Sequence, residues 1–222
     1  MSVGRSSASL FGGRFHILPD SLAHWLVRSR AWLSLVVLAP VAVGALFSEP
    51  HGNLSSFLDF GCDCLGWVLF FLGAMFRWWA TLYIGGRKST ELVQDGPYSL
   101  TRNPLYLGTF LMSAAVALFL QSLSLAATLI VVGAGYLLVT LMHEERHLCE
   151  RYGATFEDYC RRVPRFWPRL SSYHSPAVIR VRVRGLRSEM LRAARWTWIP
   201  VVCHLAAYLR CQAWWPHWFN IG

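Results

Sequence analysis

Charged positions divide this chain into long uncharged runs, and those runs predict its elements. Ala31 to Ser48 carries no charge, and Cys64 to Ile84 carries only Arg77. From Asn103 to Met142, forty consecutive residues are uncharged. A helix of that length would extend about 60 Å, twice the roughly 30 Å of bilayer hydrocarbon, so the run must fold back. Gln121-Ser122-Leu123-Ser124, near its middle, is the expected turn of a helical hairpin. A last uncharged run, Trp196 to Leu209, is fourteen residues long and precedes Trp214, Trp215, Pro216, His217 and Trp218. It predicts either a short fifth span or an interfacial helix with an aromatic belt. The fold class expected is all-α, a multi-span helical membrane protein with four spans and this C-terminal segment as the open fifth.

Composition supports that reading. Of the 222 residues 55% are apolar and 15% charged, with a mean hydropathy of +0.36, whereas soluble domains carry about 25% charged residues. The net charge of +9 comes almost wholly from arginine, with Lys88 the single lysine. Because the basic residues stand in loops beside apolar runs, they are read as topology and lipid-headgroup contacts, and no nucleic-acid partner is expected. The loop from Glu49 to Asp63 has three acids and no Lys or Arg, while Arg161 to Arg195 has ten Arg and one acid, Glu189. With four spans, the N-terminal arm, the Gly85–Arg102 loop and the Arg-rich segment share one side. The positive-inside rule places that side in the cytoplasm. The organisation expected is a cytoplasmic arm (1–30), two spans (31–84), a core containing the hairpin (85–170), and a basic segment with a C-terminal apolar helix (171–222).

None of Cys62, Cys64, Cys149, Cys160, Cys203 and Cys211 forms a CxxC pair, and no histidine stands at zinc-finger spacing, so no metal site is expected. Cys62 and Cys64 are read as small apolar residues entering a span.

Two segments carry candidate chemistry. In the run from Glu91 to Gly108, Gly96-Pro97 is a turn, and Asn103-Pro104 is a helix cap followed by proline at the first helical position. That helix start presents free N–H groups, which favour an anionic group, and Tyr98, Arg102 and Tyr106 crowd it. The second segment runs from Met142 through Glu144, Glu145 and His147, then Tyr152-Gly153, Tyr159 and Arg161-Arg162-Val163-Pro164-Arg165. Antiparallel spans return Glu144 and Glu145 to the face that holds Arg102 and Asn103. Cationic and anionic groups then meet at one mouth, as a zwitterionic ligand requires.

Gly-Pro-Tyr, Pro-Leu-Tyr-Leu-Gly, Glu-Glu, Tyr-Gly, Tyr and Arg-Val-Pro in this order resemble the isoprenylcysteine carboxyl methyltransferase and phospholipid methyltransferase superfamily of integral membrane enzymes. The resemblance covers roughly Arg77 to Pro168. It implies a cytoplasmic pocket for S-adenosylmethionine, roofed by the segment after the hairpin, and a lipid-borne or small hydrophobic acceptor entering from the bilayer. Leu92, Val93, Tyr98, Asn103, Pro104, Leu105, Tyr106 and Glu144 are the implied cofactor-pocket residues. Arg102 is the implied orienting residue, and Glu145, with His143 and His147, a candidate proton acceptor. The family's usual Arg-His-Pro is Arg102-Asn103-Pro104 here, and asparagine cannot act as a general base. The arginine that the isoprenylcysteine branch carries one turn before the acidic pair falls near Thr140.

The acceptor stays open between a carboxylate, an amine such as that of phosphatidylethanolamine, a thiol and another lipid. An NADPH-dependent steroid-reductase-like enzyme and a non-catalytic membrane scaffold are the other classes. The arginine skew points to a bacterial inner membrane.

Overall fold

The protein is described by a computed structural model covering residues 32, 35–48, 56–84, 91–136, 140–179, 181 and 183–218. The arm 1–30, and residues 49–55 and 85–90 of the loops used to assign topology, lie outside the described residues. Every regular element among the described residues is helical.

The elements are α1 (Leu35–Leu46), α2 (Ser56–Ile84), the single-turn α3 (Pro97–Leu100), α4 (Pro104–Leu120), α5 (Leu123–Tyr136), α6 (Met142–Tyr152), α7 (Ala154–Arg162), α8 (Val183–Trp196) and α9 (Trp198–Arg210). Phe57–Ile84 is long and apolar enough to cross a membrane. Only 17% of its apolar window is buried. Leu35–Leu46, Pro104–Leu120 and Leu123–Gly135 are shorter apolar helices.

The hairpin turns where the sequence places it. Gln121 ends α4 in the left-handed region (φ 46°), with its N–H bonded to the Leu118 carbonyl. Ser122 then caps α5, its Oγ accepting the Leu125 N–H at 3.3 Å.

Helices α2 and α4 pack closely because glycines face each other. A Cβ on Gly108 would lie 2.6 Å from the Gly73 carbonyl oxygen and 2.6 Å from Arg77 Cγ. Small residues at such a crossing let two backbones approach, as in membrane helix pairs. The core beside this crossing joins Phe70 of α2, Met112, Ala115 and Phe119 of α4, and Cys203 of α9. The C-terminal apolar run therefore packs into the bundle against α4. Arg210, at the end of α9, is buried and donates to the Leu120 carbonyl at 2.9 Å and to the Ser48 carbonyl at 3.3 Å. A cation there offsets unpaired carbonyls at two chain ends. Because α4 begins at Pro104, this arginine marks the end of the bundle opposite the candidate site.

Candidate active site

The site is built on two segments that run side by side. Gly96 (φ 60°) makes the turn into α3 and sits against the ring of Tyr83, where a side chain has no room. Residues 164–174 then lie along 96–102. The Arg102 N–H donates to the Pro164 carbonyl at 2.9 Å, Thr101 Oγ1 to the Arg165 carbonyl at 3.0 Å, and the Arg169 N–H to the Leu100 carbonyl at 3.0 Å. Ser172 Oγ donates to the Ser99 carbonyl at 2.9 Å, and the Gly96 N–H to the His174 carbonyl at 2.8 Å. This strap holds the Gly-Pro-Tyr turn and the start of α4 as one unit.

A cavity of about 710 Å³ opens beside that unit, lined by Leu92, Val93, Tyr98, Arg102, Asn103, Pro104, Leu105, Tyr106, Glu144, Glu145 and His147, whereas His143, the other candidate named from the sequence, is not among its lining residues. Its remaining wall carries Arg77, Glu91 and Arg151 and, between the helices, an apolar stretch with Leu38 of α1, Phe110 of α4, and Leu129 and Val132 of α5. One chamber thus joins a charged end to an apolar one.

Three polar arrangements define the charged end. Glu145, buried on α6, is held between two guanidinium groups, Arg102 Nη1 at 3.1 Å and Arg165 on the strap. Arg102 Nη1 also approaches Cys160 Sγ at 2.7 Å. Glu144, one residue earlier, accepts the Tyr106 hydroxyl at 2.8 Å. The third is Tyr98, which is buried and whose hydroxyl has no hydrogen-bond partner. Burial above all, with the nearby Tyr159 and Glu144, pushes its phenol well above the ordinary tyrosine range, so it stays a donor. Tyr159 is likewise raised, mainly by burial, and its hydroxyl donates to the Tyr98 carbonyl at 2.8 Å.

Asn103 occupies the cap position of α4, but its side chain makes no capping bond. Its Nδ2 donates instead to the Arg165 carbonyl at 3.2 Å, which corrects the expected capping role. The amide is drawn away because the strap offers a carbonyl within reach. Sequence reasoning also gave no role to Arg165, Tyr159 or Cys160, although the first two stand in the quoted motifs. Their spacing signals a motif, not which atoms they meet.

An acid bonded to a tyrosine, an unpartnered donor and the first turn of α4 converge on one wall, and a second acid is neutralised by two arginines. Such a surface suits a ligand with both cationic and acceptor groups. Among the described residues no three His, Cys, Asp or Glu side chains gather to hold a metal ion.

Comparison with known proteins gives the family. The phospholipid methyltransferase family matches residues 62–155. The chain is 30% identical over 198 residues to the nickel-cobalt-cadmium resistance protein NccN of Alcaligenes xylosoxydans, spanning 89% of this chain and 92% of that one. It is 33% identical over 175 residues to the cobalt-zinc-cadmium resistance protein CzcN of Cupriavidus metallidurans, covering 78% and 79% of the two chains. Methanethiol S-methyltransferase 2 of Bradyrhizobium diazoefficiens is 41% identical over 73 residues, 33% of this chain and 27% of that enzyme. No solved structure matches the chain. The protein therefore belongs to the phospholipid methyltransferase superfamily, in one family with the NccN and CzcN resistance proteins.

Proposed function

We propose that this chain is a multi-pass membrane methyltransferase that uses S-adenosylmethionine to methylate a lipid-borne or small hydrophobic acceptor. The observation that carries the reading is the single chamber with a charged end at Tyr98, Tyr106 and Glu144 and an apolar end between α1, α4 and α5. In this reading α1, α2, α4 and α5 span the bilayer with α9 packed beside them. The N-terminus and the charged end lie on the cytoplasmic side of a bacterial inner membrane. The uncovered apolar surface of α2 supports insertion.

The residues present fit the cofactor. Glu144 would meet a cationic group, and the Tyr98 hydroxyl and the N–H groups of the first turn of α4 would meet acceptors. When bound, S-adenosylmethionine supplies an activated methyl group, so the protein's task is to orient the acceptor and exclude water. Leu92, Val93, Pro104 and Leu105 give the apolar contacts beside those polar groups. Arg102 and Glu145, each other's partners, hold the wall in place. Both carboxylate oxygens of Glu145 are engaged, one by Arg102 and the other by Arg165. An acceptor ionised before it binds, a carboxylate or thiolate, therefore suits this site better than an ammonium. The partial match to a methanethiol S-methyltransferase favours the thiol. The two relatives matched over most of the chain are named as resistance proteins for divalent metals, which supports a setting in metal resistance for this activity.

The test is equilibrium binding of S-adenosylmethionine and of NADPH to detergent-purified protein, beside Arg102→Ala and Glu144→Ala. Micromolar binding of the sulfonium cofactor, weakened in Glu144→Ala with the protein still helical, supports the reading. Binding of NADPH alone would make it a reductase, and binding of neither a scaffold.

A further inference from the structure

Helix α8 carries a surface that the proposed chemistry does not use. Its inward side is fixed by Trp196, which packs on the core while the Arg77 guanidinium stands 4.4 Å from its ring centroid. The apolar residues Val183, Met190 and Leu191 point the other way, 74%, 56% and 57% exposed. Arg187 stands between them, and Arg192 and Arg195 follow on the flank of that face, all exposed. The segment joining α7 to α8 adds exposed Trp167, Leu170 and Val178. An amphipathic helix buries its apolar face against its own fold when it serves as core; this one turns that face outward.

Two observations select the occupant. The charge along α8 is one-sided, with Arg184, Arg187, Arg192 and Arg195 against Glu189 alone, so the complementary surface is anionic. The depth is also set. Trp196 meets α2 at Arg77, seven residues before its end at Ile84, or about 10 Å by helix rise. That is the depth at which interfacial helices lie at the headgroup–acyl boundary.

We propose that α8 is an interfacial helix that docks on anionic phospholipid. Val183, Met190 and Leu191 enter the acyl boundary, and Arg187, Arg192 and Arg195 meet lipid phosphates. Each arginine near such a surface contributes about 1 kcal/mol of attraction. This inference rests on the membrane reading of the chain and is independent of the cofactor and acceptor.

The test reconstitutes the full chain in vesicles of phosphatidylcholine alone, or mixed with phosphatidylglycerol. Met190→Cys carries a spin label, and the native cysteines are accounted for by labelling the unsubstituted chain in parallel. The collision rate with a water-soluble relaxant is expected to fall severalfold in the phosphatidylglycerol vesicles only. The protection should be lost in Arg187→Glu/Arg195→Glu and, in the unaltered helix, at high salt. A label equally accessible in both lipids overturns the proposal and leaves the face to a protein partner. A label equally buried in both, with no effect of charge reversal or salt, overturns recognition of anionic lipid. Flotation after an alkaline wash separates the two levels. Chains that fail to float remove the membrane reading and this inference with it, whereas floating chains with an accessible label remove the inference alone.

Discussion

The Tyr106 hydroxyl donates to the Glu144 carboxylate at 2.8 Å, tying the first turn of α4 to the first turn of α6 across the cavity wall. The sequence brings the helix start and the acid to one mouth without saying which side chains meet. The bond makes them one surface and orients the carboxylate that the proposed cofactor would meet.

That bond sets the first prediction. Tyr106→Phe keeps the ring and removes the donor, so Glu144 loses its orientation while remaining charged. S-adenosylmethionine binding should weaken about tenfold, or roughly 1.4 kcal/mol, in isothermal titration. Unchanged affinity would show that Glu144 does not contact the cofactor.

The Arg102–Glu145–Arg165 arrangement predicts a stability effect instead. Glu145→Ala leaves Arg102 in a partly buried site without its carboxylate, at a cost of about 3 kcal/mol. The lower end of the range applies because Arg165 keeps access to water. Arg102→Met/Glu145→Leu, which removes both charges and keeps the volume, should recover most of that loss in detergent thermal scans. A double variant no better than Glu145→Ala would show that Arg102 was never left uncompensated.

Much of this was legible because long uncharged runs restrict the possible elements so strongly. Uncharged runs marked α4 and α5, and the polar break in the long run marked the turn at Gln121 and Ser122, whereas α2 starts at Ser56, eight residues before its uncharged run, and takes in Asp59 and Asp63 from the expected loop. The site was legible as a set of residues for a related reason. Antiparallel helices return Glu144 and Glu145 to the level of Arg102 whatever the side chains do. What stayed hidden depended on the path of 164–174. Which arginines meet Glu145, where the Asn103 amide turns, and what Tyr159 holds all follow from a strap with no periodic pattern, fixed by backbone bonds to 96–102. The C-terminal run was ambiguous because fourteen uncharged residues suit either setting; the structure adds that it packs on α4 beside Met112 and Phe119.

Tyr98 and Tyr159 should separate binding from folding. Tyr98→Phe removes an unpartnered buried hydroxyl, so stability should hold or rise slightly while cofactor affinity falls. Tyr159→Phe leaves the Tyr98 carbonyl without its donor and should cost about 1 kcal/mol. Both phenols are raised by burial above their ordinary value of 10.0. The unfolded chain therefore releases these protons first. Their contribution is present below about pH 10 and declines as pH rises above it. Tyr98→Phe should flatten the alkaline limb of a stability profile taken by denaturant titration. A limb of unchanged steepness would show that this phenol ionises as freely in the fold as outside it.

Glycine positions give the last prediction, because one of them is constrained twice and another not at all. Gly96 needs a positive φ and lies against the Tyr83 ring, so an added methyl group meets both a backbone penalty and a ring that Ser175 holds through its hydroxyl at 2.7 Å. Gly96→Ala should cost about 2 kcal/mol or more from backbone strain and overpacking together. It should also weaken cofactor binding, since Tyr98 sits two residues along the same turn. Gly135, in α5, has nothing within 4 Å of its added Cβ, and Gly135→Ala should stabilise the helix by up to about 1 kcal/mol. Thermal scans of the two variants in one detergent make the comparison. Equal melting temperatures would mean that the turn relaxes away from Tyr83, and the Gly-Pro-Tyr segment would then be a flexible edge of the cavity instead of its fixed wall.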